Sequence, residues 1–416
     1  MRGNKPVVID VGTGYTKMGL ASNAAPEYII PSVLGMRNPE LAGKSGTLAR
    51  RTEFEDLDYV IGYECMDNLR TYPPIKFMNH GLVSNWDGLE KFLQACYFRY
   101  LRCNPEDHPL VLTEPPLNTP ENREYLAEIL FETFNVPSMY IGVQAVLAIC
   151  ASWISKHQQN VALTGTVVDS GDGVTHIIPV FDGAVIPSAI KHIPIAGGDV
   201  TKFILDMIRD REHDLPPDEA IATAKYIKEN YCYVTSDLLK EFDKFDKDQP
   251  DTFIDYKGTH QVTQKPYTVG VGYERFLAPE IFFQPEILQA DFTVGIPQLV
   301  DQAVQMSPVD TRRALYGNVV LSGGSTMFSN YHKRLQKELQ GIVNDRLHQH
   351  EVRSGGVKPT PIDVKVISHK FQRYAVFLGG TMLGNSEIFA TLAHTKKEYD
   401  EIGPAVCRTS ATFQKL

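Results

Sequence analysis

Two stretches carry aspartate and glycine at a spacing suited to phosphate chemistry. VVIDVGTGYTK (7–17) and TVVDSGDGVTH (166–176) share one pattern, in which an apolar run ends in Asp, x-Gly-x-Gly follows, and a Thr and a polar residue close it. Gly12, Gly14, Gly171 and Gly173 accept the unusual backbone angles of a tight hairpin at a strand end. Lacking Cβ atoms, they let backbone N–H groups approach phosphate oxygens and form an anion-binding nest. The Thr13 hydroxyl adds a donor, and Lys17 brings positive charge to the β- or γ-phosphate. Asp10 and Asp169 would repel phosphate at close range. They make sense with a divalent cation between, because Mg²⁺ keeps several waters that carboxylates hold, and Asp172 can do the same from the hairpin tip.

Other signatures fail. Gly43-Lys44-Ser45 suggests a P-loop, but that motif's first Gly would fall at Asn38, with no strand before it. Lys17 stands where a dinucleotide fingerprint needs its third Gly. The stretch DKFDKDQPD (243–251) lacks the Gly and terminal Glu of an EF-hand loop. His348 and His350 fall in a polar segment and are expected to face solvent.

The elements that must position the hairpins are legible in the apolar pattern. VVID (7–10), PLVLT (109–113), TVVD (166–169), HIIPV (176–180) and NVVLS (318–322) are short, near-continuous apolar runs suited to strands covered on both faces. Leu89, Phe92, Leu93, Cys96 and Tyr100 recur at helical spacing, with Ser84 and Asp87 as a capping box. Thr119 is expected to cap a second helix with Pro120 at its first position and Leu126, Ile129 and Leu130 as its apolar stripe. Strands alternating with helices give an α/β architecture. Segments 37–58, 243–251 and 348–361 read as polar surface loops. The repeated hairpin, so far apart in the chain, predicts a duplicated domain with one phosphate hairpin on each half.

Bulk composition bounds the rest. A chain of 416 residues supports two or more packed lobes. A net charge of -9 argues against nucleic acid as a direct partner, since phosphate backbones are held by basic faces. The six cysteines form no Cys-x-x-Cys pair or zinc-like grouping, which indicates a reducing compartment. No run approaches the roughly 20 apolar residues of a membrane span, and no secretory segment opens the chain, so a cytoplasmic protein is expected.

Beyond the hairpins, the sequence resembles the actin family over nearly its whole length. LTEPPLNTPENRE (112–124), FETFNVPSMYIGVQAVLAICAS (131–152), IKENYCYV (227–234), ERF (274–276), FQPE (283–286), VLSGGSTMF (320–328) and KKEYDEIGP (396–404) look like actin-family segments in order. The resemblance implies an actin-like ATPase fold of two similar lobes with a nucleotide cleft between them, each split into a larger and a smaller subdomain. The boundaries it implies are 1–32, 78–151 and 375–416 for the first subdomain and 33–77 for the second. Residues 152–195 and 291–374 would form the third, and 196–290 the fourth.

It also implies ATP with Mg²⁺ or Ca²⁺ as cofactors. Asp10, Gly12, Thr13, Gly14, Tyr15 and Lys17 would form one phosphate loop, and Asp169, Gly171, Asp172, Gly173 and Val174 the other. Asp10, Asp169 and Asp172 would hold the metal through water. Lys228 and Glu229 would border adenine and ribose, Gly323, Gly324, Ser325 and Met327 would pass backbone along them, and Gly197 and Gly198 would lie near the ribose edge. Arg373 stands where the family has a Lys beside adenine, which keeps the charge with a different geometry. Gln144 and His176 match the residues that orient the attacking water, and they are compatible with slow hydrolysis or with none.

The departures from actin carry functional expectations. The segment 37–58 is unrelated to the actin loop that engages the next filament subunit, and the terminus CRTSATFQKL lacks the conventional ending. One end is therefore expected not to join a homopolymer, while actin-like segments such as EYDEIGP leave the other able to accept an actin subunit. The insert DLLKEFDKFDKD (237–248) and the segment QHEVRSGGVKPTPIDVKVIS (349–368) resemble the filament-nucleating branch of the actin-related proteins. That implies a cytoskeletal subunit at cell projections, paired with actin-related protein 2 in a stable heteromeric complex that meets actin filaments and nucleation-promoting factors. ATP would act as its conformational switch. The alternatives are a self-polymerising actin-like ATPase, a nuclear subunit of a chromatin complex, and a metabolite kinase of the same superfold.

Overall fold

The computed structural model describes residues 4–37, 57–69, 71–153, 162–211, 215–247, 252–260 and 263–408. The chain divides into two compact units, one made of residues 1–154, 182–185 and 374–416 and the other of 155–181 and 186–373.

In the first unit, Val7–Val11 is wholly buried and forms a hairpin with Tyr15–Leu20, Asp10 standing opposite Lys17. Its other edge pairs in parallel with Leu110–Glu114, which pairs in parallel with Ser138–Val143. Tyr28–Pro31 and His394–Thr395 close the two edges of this sheet. Burial on both faces explains why the central strands read as continuous apolar runs. Helices Gln144–Ser152 and Ala375–Gly384 cross closely, because Gly379 leaves no room for a side chain against the Leu147 backbone.

The second unit repeats the device. Gly165–Ser170 forms a hairpin with Thr175–Phe181, and Asp169 stands opposite His176 just as Asp10 stands opposite Lys17. Val319–Ser322 pairs in parallel with Gly165–Ser170 and with Val366–Ile367, while Lys191–Ile193 pairs with Thr175–Phe181. All five strands expected from the sequence are present.

Thr119 caps its helix by accepting from the Asn122 amide, with Pro120 at the first position. The cap of the earlier helix is Asn85, which accepts from the Gly88 amide, rather than Ser84. Two expected loops are partly helical. Residues 243–247 lie in helix Leu238–Lys247, whose Phe245 is buried against Phe276 and whose Phe242 stacks on Tyr273. Residues 348–353 end helix Tyr331–Arg353, which Tyr331, Leu335, Leu339 and Val343 anchor to the core at four-residue spacing. Of the expected loop 37–58, residues 38–56 lie outside the described residues, as do 248–251 and the terminal 409–416. No described helix is long and apolar enough to cross a membrane.

Candidate functional site

In the first unit the site is built around Asp10, which is 3% exposed at the end of its strand. Its Oδ2 accepts from Lys17 Nζ at 3.0 Å, and its Oδ1 accepts from the Thr113 hydroxyl at 2.7 Å and from Gln144 Nε2 at 3.4 Å. Strand pairing explains this convergence. The hairpin sets Lys17 opposite Asp10, the neighbouring parallel strand brings Thr113 alongside, and Gln144 opens the helix after the next strand.

Gly12 is required at the turn, since an added Cβ would sit 2.9 Å from the Tyr15 carbonyl oxygen. Among the described residues, the amides of Thr13 and Gly14 donate to no other group. The Thr13 hydroxyl accepts from the Gly81 amide at 2.9 Å and keeps its proton to donate. Two uncommitted amides beside a lysine are a donor set that fits a phosphate oxygen. Tyr15 begins the return strand.

In the second unit, six of the expected residues converge. The Gly197 amide donates to the Gly171 carbonyl at 3.0 Å and the Gly198 amide to the Asp172 carbonyl at 2.8 Å, so helix Gly197–Arg211 begins on the hairpin. Ser325 Oγ donates to the same Gly171 carbonyl at 2.6 Å, and Lys228 Nζ donates to the Gly197 carbonyl at 2.8 Å. A Cβ on Gly197 would meet Ser325 Oγ at 2.7 Å, whereas one on Gly171 would meet nothing within 4 Å among the described residues. The hairpin backbone thus has space beside Gly171, while the helix start at Gly197 is packed. Burial lowers the Lys228 ammonium from its ordinary value, while Asp172 and Glu229 act the other way. Asp169, Gly173 and Val174 lie in the hairpin itself, half-buried.

His176 is buried, and burial, with help from His192, pulls its imidazole down to about 4. It is therefore neutral near pH 7 and serves as a hydrogen-bonding group, a state suited to orienting a water rather than to carrying charge.

The turn after Val319–Ser322 completes this half. Gly323 has φ +88°, and a Cβ there would collide with the Ser170 carbonyl. Gly324 lies beside Arg373, 3.9 Å separating an added Cβ from Arg373 Cγ. Ser325 is buried, while Met327, Glu229 and Arg373 are exposed. Among the described residues no group of three or more His, Cys, Asp or Glu side chains is set to hold a metal directly.

Three residues that matter here escaped the sequence reading. Thr113, Gly81 and Gln372 each act on a partner far away in the chain, and no local periodicity marks them.

A family model described as Actin matches residues 1–257 and 222–411. The chain is 52% identical over 416 residues to "Actin-related protein 3" of Drosophila melanogaster, covering 99% of each chain. It is 51% identical to the protein of the same description from Caenorhabditis elegans, covering 98% of each. Against that from Acanthamoeba castellanii it is 51% identical over 98% of this chain and 97% of the relative.

Proposed function

The chain belongs to the actin family, and from that premise we propose that it is an ATP-binding subunit of a heteromeric complex that nucleates branched actin filaments. The observation that carries this reading is the likeness to proteins described as actin-related protein 3, sustained end to end at 51–52% identity. On this reading the partners are actin-related protein 2, further subunits, actin filaments and nucleation-promoting factors, and the location is the cytoplasmic cytoskeleton. The subdomain boundaries are those stated for the family above.

On this reading each hairpin is a phosphate loop for ATP. The Thr13 and Gly14 amides and Lys17 meet phosphate oxygens, and the backbone amide of Asp172, beside Gly171, does the same from the repeated hairpin. A divalent cation, Mg²⁺ or Ca²⁺, supplies charge neutralisation between phosphates and carboxylates when bound. Asp10, Asp169 and Asp172 would hold its waters. Lys228, Glu229, Gly197, Gly198, Arg373 and the Gly323–Met327 turn receive base and ribose. Gln144 and neutral His176 would orient a water, a role compatible with slow hydrolysis or with none. Nucleotide at about 1,000 times its dissociation constant stabilises the bound state by roughly 4 kcal/mol, enough for ATP to act as a conformational ligand.

Native mass spectrometry on the tagged chain, purified gently from its own cells, tests the proposal. A discrete heteromer holding a second actin-like chain, active in a branching assay, is the expected result. A lone monomer, a polymer of this chain alone, or recovery with chromatin proteins would overturn it.

A further inference from the structure

We propose that Gln372 is the positioning residue of the Gly323–Met327 turn and sets how tightly the base-and-ribose half of a nucleotide is held. The inference rests on the nucleotide reading above and deepens it.

Gln372 is 3% exposed, and its side-chain amide is hydrogen-bonded at both ends. Its Nε2 donates to Thr326 Oγ1 at 2.7 Å and to the Thr326 carbonyl at 3.2 Å. Its Oε1 accepts from Ser368 Oγ at 2.7 Å and from the His369 amide at 2.9 Å. Its own carbonyl accepts from the Gly323 amide at 2.9 Å. One residue therefore grips the first residue of the turn and the fourth, while the Thr326 hydroxyl donates across the turn to the Gly323 carbonyl at 2.8 Å. Gln372 also directly precedes Arg373, whose stem lies beside Gly324. The turn is thus held from one buried residue, through its backbone carbonyl at Gly323 and its side-chain amide at Thr326.

The phosphate hairpin is held mainly by other bonds, and one hydrogen bond, from Ser325 Oγ to the Gly171 carbonyl at 2.6 Å, ties it to the turn. Its strand ladder joins Gly165–Ser170 to Thr175–Phe181, and the Gly197 and Gly198 amides secure its carbonyls. Disturbing Gln372 should therefore move the turn more than the hairpin, which keeps its ladder and the Gly197 and Gly198 bonds. A glutamine with only a general structural role would weaken every ligand alike.

The test compares Gln372→Glu with the parent full chain in its purified assembly, measuring affinities for Mg·ATP, Mg·GTP and Mg·tripolyphosphate. The substitution keeps size and the Oε1 acceptor and sets a second acceptor against the Thr326 carbonyl. One unmet buried hydrogen bond corresponds to a loss of about tenfold in ATP affinity. Tripolyphosphate affinity is expected to fall clearly less than ATP affinity, since only the Ser325 bond links the turn to the hairpin, and the preference for ATP over GTP is expected to shrink. Equal loss for ATP and tripolyphosphate, or no loss, overturns the proposal. If Gln372→Glu fails to fold, Thr326→Val removes the hydroxyl partner at constant volume and is read by the same ratio. A parent that binds no ATP sinks the nucleotide reading together with this one, whereas a parent that binds and a variant that is unchanged sinks only the role of Gln372.

Discussion

The Thr113 hydroxyl donates to the Asp10 carboxylate at 2.7 Å from the neighbouring parallel strand, and both residues are almost fully buried. Thr113→Val removes this donor at nearly constant volume, leaving a buried carboxylate oxygen to Gln144 alone. The expected cost is about 1–3 kcal/mol in stability. With it should come a higher Mg²⁺ requirement for ATP binding, read from metal titrations of nucleotide affinity. An unchanged metal midpoint would show that Asp10 needs no such alignment.

Gly323→Ala should be far more damaging than its size suggests. The φ of +88° is left-handed backbone, and the new methyl would run into the Ser170 carbonyl on the adjacent strand. Strain of this kind costs on the order of 1–3 kcal/mol before the clash is counted. Thermal unfolding of the second unit should shift down by several degrees at least. Gly171→Ala, where an added Cβ meets nothing within 4 Å among the described residues, should leave the melting point nearly unchanged and report on ligand binding instead.

Stability should fall as pH rises through neutrality because of Glu280. This carboxyl is fully buried, its Oε1 accepts from Arg334 at 3.0 Å and Gln284 at 3.1 Å, and Glu338 pairs with the same guanidinium. Burial first, then repulsion from Glu338, outweighs Arg334 and raises its titration to about 7. An acid with a raised folded-state value binds its proton more tightly when folded. Its contribution is therefore full below the ordinary carboxylate range and is lost as pH climbs through about 7. Glu280→Gln should flatten this dependence, so the melting-point gap between variant and parent should widen from pH 5.5 to 7.5 and then level off. A gap that is constant with pH would refute the assignment.

Tyr316 joins three helices of the second unit through one hydroxyl. It donates to Asp301 at 2.6 Å and accepts from Gln305 at 3.0 Å and Arg346 at 3.1 Å. Burial, chiefly, pushes its phenol up to about 12, so it remains a donor across the working range. Tyr316→Phe should cost about 2 kcal/mol, the penalty for buried polar partners left short. A chemical-denaturation series that shows no loss would mean that the Arg346–Asp301 pair suffices by itself.

The sequence by itself determined the two Asp-x-Gly-x-Gly hairpins, the five strands that carry and flank them, the Thr119 cap and the α/β class. Each of these depends on neighbours within a few residues, through turn geometry, apolar runs and capping chemistry, and such short-range causes leave their mark on local pattern. Family membership was legible for a related reason, since the resemblance is carried by contiguous motifs such as VLSGGSTMF. Tertiary structure alone decided which polar groups meet. Thr113 reaches Asp10 across 103 residues, Arg334 reaches Glu280 across 54, and Gln372 reaches Thr326 across 46. It also made helices of charged segments, because Phe242 and Phe245 found Tyr273 and Phe276 to pack on, and because the buried stripe at Tyr331, Leu335, Leu339 and Val343 carried its helix on to Arg353. A hydrogen-bond partner contributed by a distant strand adds no periodicity to the chain that bonds to it. For that reason the residues that aim the site were hidden where the residues that form it were plain.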